Sequence, residues 1–473
     1  MKRQTGVLLP VFSLPGEFGC GGFGKEAYRW IDALKEGGFS LWQVLPFGVP
    51  DEHDSPYMSY SSFGGNPFFI DPGILFEKGL VTREEMESQR VSDPYLCRFE
   101  ILRKTRFDFL KKAASRFSDR AAMEAFLSEN PDVAGTCRYL SLKEKNGGKA
   151  FSEWTEYEPD ETDLFARQFI QFEFHRQWEA LHAYAKKAGI RVLGDLPFYV
   201  AKDSYDLWSD PGAFQLDPKK QPSAVAGVPP DYFSQDGQLW GNPLYDWEKM
   251  EKDGFSWWKK RLGYQLKLFD GVRIDHFRAI CAYWSIPAGA KSAKEGKWVK
   301  GPGEKLTAAF REIAGEKFIL AEDLGIIDDD TRLLLKKSGF PGMAVYQFGF
   351  DGNPLSPHLP QNYERNLAAY SGTHDNNTLL GFLLELDGNT RKTVLESLGD
   401  PSDFVAAVRC SLLQSRADLV IFPVQDLLGF GSDTRVNRPG TAEGNWKYRV
   451  TSDQIASLDL KKFYRLNRFY NRI

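Results

Sequence analysis

The chain has 473 residues, with 60 basic and 64 acidic side chains and a net charge of −4. That balance leaves no basic stripe for a polyanion, so nucleic acid is not an expected partner, and no apolar run has the length of a signal peptide or a membrane span, so a soluble cytoplasmic protein is expected. The five cysteines (Cys20, Cys97, Cys137, Cys281, Cys410) are odd in number and scattered, and the six histidines include no HExxH; neither a disulfide framework nor a metal or other cofactor is expected.

Eight short apolar runs, most closed by Gly, Pro or an acid, read in order as strands buried on both faces. They span residues 6–12, 41–46, 190–195, 269–275, 317–322, 343–348, 368–375 and 419–424. Helical patterns separate most of them. Residues 25–35 place Ala27, Trp30, Ile31 and Leu34 on one face and stop at Gly37-Gly38. Residues 163–187 form a long amphipathic stretch ending at Gly189, and residues 304–313 and 329–337 read as later crossovers. This alternation predicts an α/β fold, a (β/α)8 TIM barrel over residues 1–473, with a doubly wound open sheet as the lesser reading. Two connections are too long to be simple loops: a helical insertion over 48–162, with its own patterns at 103–117 and 119–127, and a loop-rich insertion over 199–251. Both leave strand C-termini, so both build over the catalytic face. The aromatic share is 14%. Any one ring serves equally well as core packing or as a platform for a sugar face.

Three acids ride on the ends of those runs: Asp275 in Gly271-Val272-Arg273-Ile274-Asp275-His276-Phe277-Arg278, Glu322 in Ala321-Glu322-Asp323-Leu324-Gly325, and Asp375 in Gly372-Thr373-His374-Asp375-Asn376-Asn377. The C-terminal ends of barrel strands are where such folds keep their chemistry, and two carboxyl groups flanking one bond are the minimal apparatus for glycoside cleavage. Arg273 and Asp275 stand at i and i+2, on one side of a strand. An arginine there favours the anionic carboxylate that a nucleophile must be. Glu322 is then the acid/base, kept protonated by a second carboxylate and a covered cleft. Asp375 is placed to hold neighbouring sugar hydroxyls and to help keep Glu322 protonated. A single strand-end acid is usually an ion pair or a helix cap, and Asp323 is read as such a cap. Three together are hard to explain that way.

These phrases resemble the amylomaltases, the 4-α-glucanotransferases or disproportionating enzymes of glycoside hydrolase family 77, which share a barrel and a carboxylate triad with the α-amylases. The resemblance covers nearly the whole chain. It includes Ser55-Pro56-Tyr57-Met58-Ser59-Tyr60-Ser61, continuing to Asn66-Pro67, then Gly194-Asp195-Leu196-Pro197-Phe198-Tyr199-Val200. Gly227-Val228-Pro229-Pro230-Asp231-Tyr232-Phe233-Ser234 and Gly237-Gln238-Leu239-Trp240-Gly241-Asn242-Pro243 complete it. The family's Asn-Trp-x-x-Arg is kept as Asn445-Trp446-Lys447-Tyr448-Arg449, with Tyr448 where Trp is frequent, and Ala279 stands where Gly is frequent.

The resemblance implies that Asp275 is the nucleophile, Glu322 the acid/base and Asp375 the acid that orients the sugar. Arg273 and His374 are implied partners. Tyr57, Asp195 and Trp240 are implied substrate contacts, the first and last by stacking, and Tyr232 and Phe233 an acceptor-site lid that keeps water from the intermediate. It further implies malto-oligosaccharides or amylose as donor, glucose or another glucan as acceptor, no cofactor, no metal, a monomer or homodimer, and a compact member without an N-terminal extension. The competing readings are an α-amylase-type hydrolase and a non-catalytic glucan-binding protein. Against the first, Gly194-Asp195-Leu196-Pro197 lacks an Asn-His; against the second, all three acids stand beside Arg273 and His374.

Overall fold

The structure, a computed structural model, describes residues 2–51, 53–230, 235–441 and 443–473. Its strands run β1 (Gln4–Leu8), β2 (Leu41–Gln43), β3 (Arg191–Leu196), β4 (Ala224–Val228), β5 (Gln238–Pro243), β6 (Gly271–Ile274), β7 (Ala282–Pro287), β8 (Lys297–Lys300), β9 (Phe318–Ala321), β10 (Gly342–Val345), β11 (Leu367–Tyr370) and β12 (Leu419–Pro423). Eight of these make one sheet in the order β10-β11-β12-β1-β2-β3-β6-β9, and every pair in it is parallel. The two end strands meet. Ala321 N donates to Pro341 O at 2.9 Å, and Met343 N donates to Asp323 Oδ1 at 2.7 Å. The sheet is therefore rolled into a TIM-type barrel whose last seam is held by one main-chain bond and one carboxylate.

Each barrel strand lies on one of the eight apolar runs, because a strand covered on both faces needs continuous hydrophobicity: Val192, Val272, Leu320, Val345, Ala369 and Val420 are all fully buried. The run over 368–375 stops pairing at Tyr370, so Asp375 stands in the turn beyond the strand rather than on it. Close packing of the strands dictates some glycines. A Cβ on Gly194 would lie within 2.6 Å of the Phe269 ring.

The helix Glu161–Ala188 shows how sequence places an element. Asp160 caps it by accepting from Asp163 N, and Gly189 ends it in the left-handed region at φ 82°. Its inner face carries Phe169, Phe174, Trp178 and Leu181. Phe174 and Trp178 pack with Phe23 and Phe47, edge to face or tilted, at centroid distances of 4.8–6.1 Å. Each such ring pair stabilises by about 0.5–1.5 kcal/mol beyond simple burial. Between β2 and β3 the helices Phe99–Ser115, Arg120–Glu129 and Pro131–Lys145 precede it.

The sequence reading assigned no strands to the stretch after β3 or to that between β6 and β9. The structure places a four-stranded antiparallel sheet there, ordered β5-β4-β7-β8. Its runs are short and broken by Gly, Asn and Pro, so local propensity hides them. β4 gains its second neighbour only from β7, which enters after β6.

Candidate active site

In the parallel pair β3–β6, Asp195 stands opposite Arg273, so the two side chains share a face of the barrel wall. Both are almost wholly buried. Arg273 Nη1 donates to both Asp195 oxygens at 2.8 Å, and Nη2 reaches Asp275 Oδ1 at 2.8 Å. Burial works against the Arg273 charge, yet Asp195 and Asp275 outweigh it and hold its pKa well above the usual arginine value. Asp195 is pushed above the ordinary carboxylate range by burial, with Arg273 opposing and Asp275 adding to the rise. Tyr57 Oη also donates to Asp195 Oδ2 at 2.8 Å.

Glu322 follows β9 directly. Its Oε2 accepts from His276 N at 2.7 Å and its Oε1 from Leu324 N at 2.8 Å. Two more main-chain bonds, Glu322 N to Ile274 O and Phe277 N to Glu322 O, wrap the segment after β6 around it. Burial, then the charge of Asp275, raise the Glu322 carboxyl to about 7 against the pull of Arg273 and those amides. Asp275 is the second carboxylate behind that rise.

Asp375 is held differently. His374 Nε2 lies 3.2 Å from Asp375 Oδ2, and Asn437 Nδ2 donates to Oδ1 at 2.6 Å. Burial favours the neutral acid, but His374 and then Asn437 overcome it and bring the carboxyl down to about 2. The same pairing raises the His374 pKa despite its burial. The His374 ring stacks on Tyr57 at 5.2 Å between centroids and 17° between planes.

Tyr57, Asp275, His374, Asp375 and Asn437 line a cleft of about 500 Å³ together with Trp240 and His276, whereas Glu322 and Arg273 stand behind its lining. A volume of that size suits a small-molecule or oligosaccharide segment. Asp195 is not among the residues lining it; its carboxylate sits beneath, bracing Arg273 and Tyr57. Trp240 does line it, with its ring edge-to-face to His276 at 5.0 Å. Tyr232 and Phe233 lie outside the described residues.

Asp323 does not cap the next turn. Its carboxyl crosses the seam to Met343 N, and burial raises it to about 6. Asp328 is the cap of the helix that follows. The sequence reading did not single out Asn437 or Arg435, whose Nη2 donates to Asp375 O at 2.7 Å. Asn437 has no local signal beyond a polar, Pro- and Gly-containing loop, and its role comes from folding back onto β11's turn. His276 and Tyr199 also line the cleft; only their position inside quoted phrases marked them.

A family model described as 4-alpha-glucanotransferase, glycoside hydrolase family 77, matches residues 9–455. The chain is 40% identical to a 4-alpha-glucanotransferase of Streptococcus pneumoniae over 494 aligned positions, covering 100% of this chain and 98% of that one. It is 39% identical to a 4-alpha-glucanotransferase of Thermus thermophilus, with 96% of each chain covered. The solved amylomaltase of Streptococcus agalactiae in complex with acarbose superposes with a TM-score of 0.95 at 35% identity over 100% of both chains.

Proposed function

Because the chain belongs to the 4-alpha-glucanotransferase family, glycoside hydrolase family 77, we propose that Asp275, Glu322 and Asp375 carry out its transfer of α-1,4-glucan segments as nucleophile, acid/base and sugar-orienting acid. Family membership favours transfer over the hydrolase and binding-protein readings. The donor is a malto-oligosaccharide or amylose, and the acceptor is the 4-hydroxyl of glucose or of another glucan.

In the first step Asp275 Oδ attacks the anomeric carbon as the bond from that carbon to the leaving O4 breaks. Glu322 gives its proton to that oxygen, leaving a covalent glycosyl ester on Asp275. In the second step the acceptor 4-hydroxyl passes its proton to Glu322 and attacks the same carbon, releasing Asp275. Two inversions give net retention. Arg273 supports this division by pairing with Asp275, since a nucleophile must stay anionic until it attacks. Asp375 is secured as an anion by His374 and Asn437, suiting it to hold two ring hydroxyls that gain strength as the ring distorts. Tyr57 supplies the face on which that ring lies.

The observation that carries the reading is the contrast between two neighbouring carboxyls. Asp275 is ion-paired at 2.8 Å, while the half-buried Glu322 beside it retains its proton to about 7. An ion-paired carboxylate beside a carboxyl that keeps its proton is the pairing a nucleophile and an acid need. Maltotriose alone tests it: a ladder of longer maltodextrins plus glucose is the expected product set. Glucose and maltose alone would replace transfer by hydrolysis, and an unchanged substrate would remove the activity. No described helix is long and apolar enough to cross a membrane.

A further inference from the structure

Asp275 and Glu322 come directly after β6 and β9, so the ladders of those strands fix their main chains. Asp375 is carried differently. β11 stops at Tyr370, and His374 and Asp375 ride on the turn that runs from Ser371 to Leu379, where the next helix begins. The outer part of that turn is tied down by Asn437 N, which donates to His374 O at 3.1 Å, and by Arg435 Nη2 on Asp375 O. Asn376 Oδ1 stiffens it from within, accepting from Thr373 N and Oγ1 at 2.8 and 2.9 Å. Its base is closed by one carboxylate. Asp426 Oδ2 accepts from Ser371 Oγ at 2.6 Å, and Oδ1 accepts from Leu379 N at 2.7 Å. The two donors stand at the start and the end of the turn.

Asp426 belongs to the short helix Val424–Leu428, which follows β12, the barrel neighbour of β11. Asp426, Ser371 and Leu379 are all wholly or almost wholly buried, and Asp426 is not among the residues lining the cleft. Burial raises its carboxyl to about 6 against the pull of Leu379 N, Ser371 and the Arg409 charge. A carboxyl so buried is costly unless each oxygen is answered, and here the answers come from the two ends of the turn. Leu379 N is also the first amide of its helix, a donor that the helix itself leaves without a partner.

We propose that Asp426 is a positioning residue for the transfer reaction: by holding Ser371 and Leu379 together it sets the turn from which His374 and Asp375 meet the sugar ring. The inference rests on the role given above to Asp375. Gln347 Nε2 and Ser432 Oγ hold Asn377 independently, so loss of the Asp426 carboxylate should loosen the turn rather than release it.

Substitutions at the clamp test this, with maltotriose as donor and glucose varied as acceptor. Asp426→Ala frees both ends and should lower kcat roughly tenfold, the scale of lost hydrogen bonds, with the glucose KM little changed. Asp426→Asn should recover most of that loss, since its amide oxygen accepts from Leu379 N and its NH2 donates to the Ser371 hydroxyl. Ser371→Ala frees one end and should fall between. A purely structural Asp426 would lower the melting temperature in these variants and leave kcat unchanged below it. An unchanged kcat in folded Asp426→Ala therefore overturns the proposal; should that variant fail to fold, an unchanged kcat in Ser371→Ala overturns it instead. Asp426→Asn as impaired as Asp426→Ala overturns the hydrogen-bonded clamp. Asp375→Asn, run alongside, separates the premise: if it transfers as the unsubstituted enzyme does, the role of Asp375 is at fault, and if it is inert while Asp426→Ala keeps its kcat, only this inference falls.

Discussion

The charged wall of the cleft and its aromatic wall are built by opposite strategies. On the charged wall Tyr57, His374, Asp375 and Asn437, braced from beneath by Arg273 and Asp195, form a network in which the Asp195 and Asp375 carboxylates are each answered by two donors. Such a network is pre-oriented before any ligand arrives and needs little reorganisation as charge develops. On the aromatic wall Trp240 meets His276 edge to face and Tyr199 lies tilted against both rings. Those contacts accept many sugar orientations. A transferase must fix one ring tightly while admitting donors and acceptors of differing length, and in the proposed mechanism the two walls divide that requirement between them.

The largest break comes at the floor. Asp275→Asn keeps the shape but cannot form a glycosyl ester, so transfer from maltotriose should fall by at least about a thousandfold. Thermal melting should confirm that the fold remains. A rate near that of the unsubstituted enzyme would place the nucleophile elsewhere.

Glu322→Gln should cost about a hundredfold or more on maltotriose, the scale of general acid catalysis. An aryl maltoside, which needs little protonation to leave, should lose less and accumulate an adduct on Asp275 visible by mass spectrometry. The companion measurement is pH. Glu322 must carry its proton in the first step, so glycosylation should decline as pH rises through about 7, and Glu322→Gln should lack that limb.

Asn437→Ala tests whether the charged wall depends on full pairing. It removes a 2.6 Å bond to Asp375, and leaving that oxygen short of a donor should lower kcat about tenfold with little change in acceptor KM. An effect confined to KM would shift Asn437 from holding the acid to binding substrate.

Trp240→Ala should be milder and opposite in kind. Losing one platform of about 1 kcal/mol should raise acceptor KM roughly fivefold and leave kcat largely intact. Equal losses in both walls, read from initial rates across donor and acceptor concentrations, would erase the distinction between them.

The barrel was legible because the wall strands are mostly apolar, and Asp275 and Glu322 because they directly follow such strands, whereas Asp375 lies in the turn beyond β11. The antiparallel sheet was not: β4 and β5 are short, and β4's other neighbour arrives after an intervening barrel strand. Asp195 was marked only by the resemblance, as a substrate contact, and its place under the cleft depends on facing Arg273 across the ladder. Asn437 was invisible because its partner is 62 positions away and only the closed fold brings them together. Asp323 looked like a cap because acids before a turn usually are, and the seam it spans exists only once the sheet has curled.

That seam gives the two reacting carboxyls unequal footing in time. Asp275 follows β6, which is laddered on both flanks by β3 and β9. Glu322 follows β9, laddered on one flank and elsewhere joined to β10 by a single main-chain bond and the Asp323 carboxyl. Amide protons at the β9–β10 edge are therefore expected to exchange before those between β3 and β6, as hydrogen exchange would read. The proposed nucleophile thus follows the strand paired on both flanks, and the proposed proton donor the strand at the sparser seam. A proton donor that shifts with its strand can follow the oxygen it serves as one sugar departs and another takes its place.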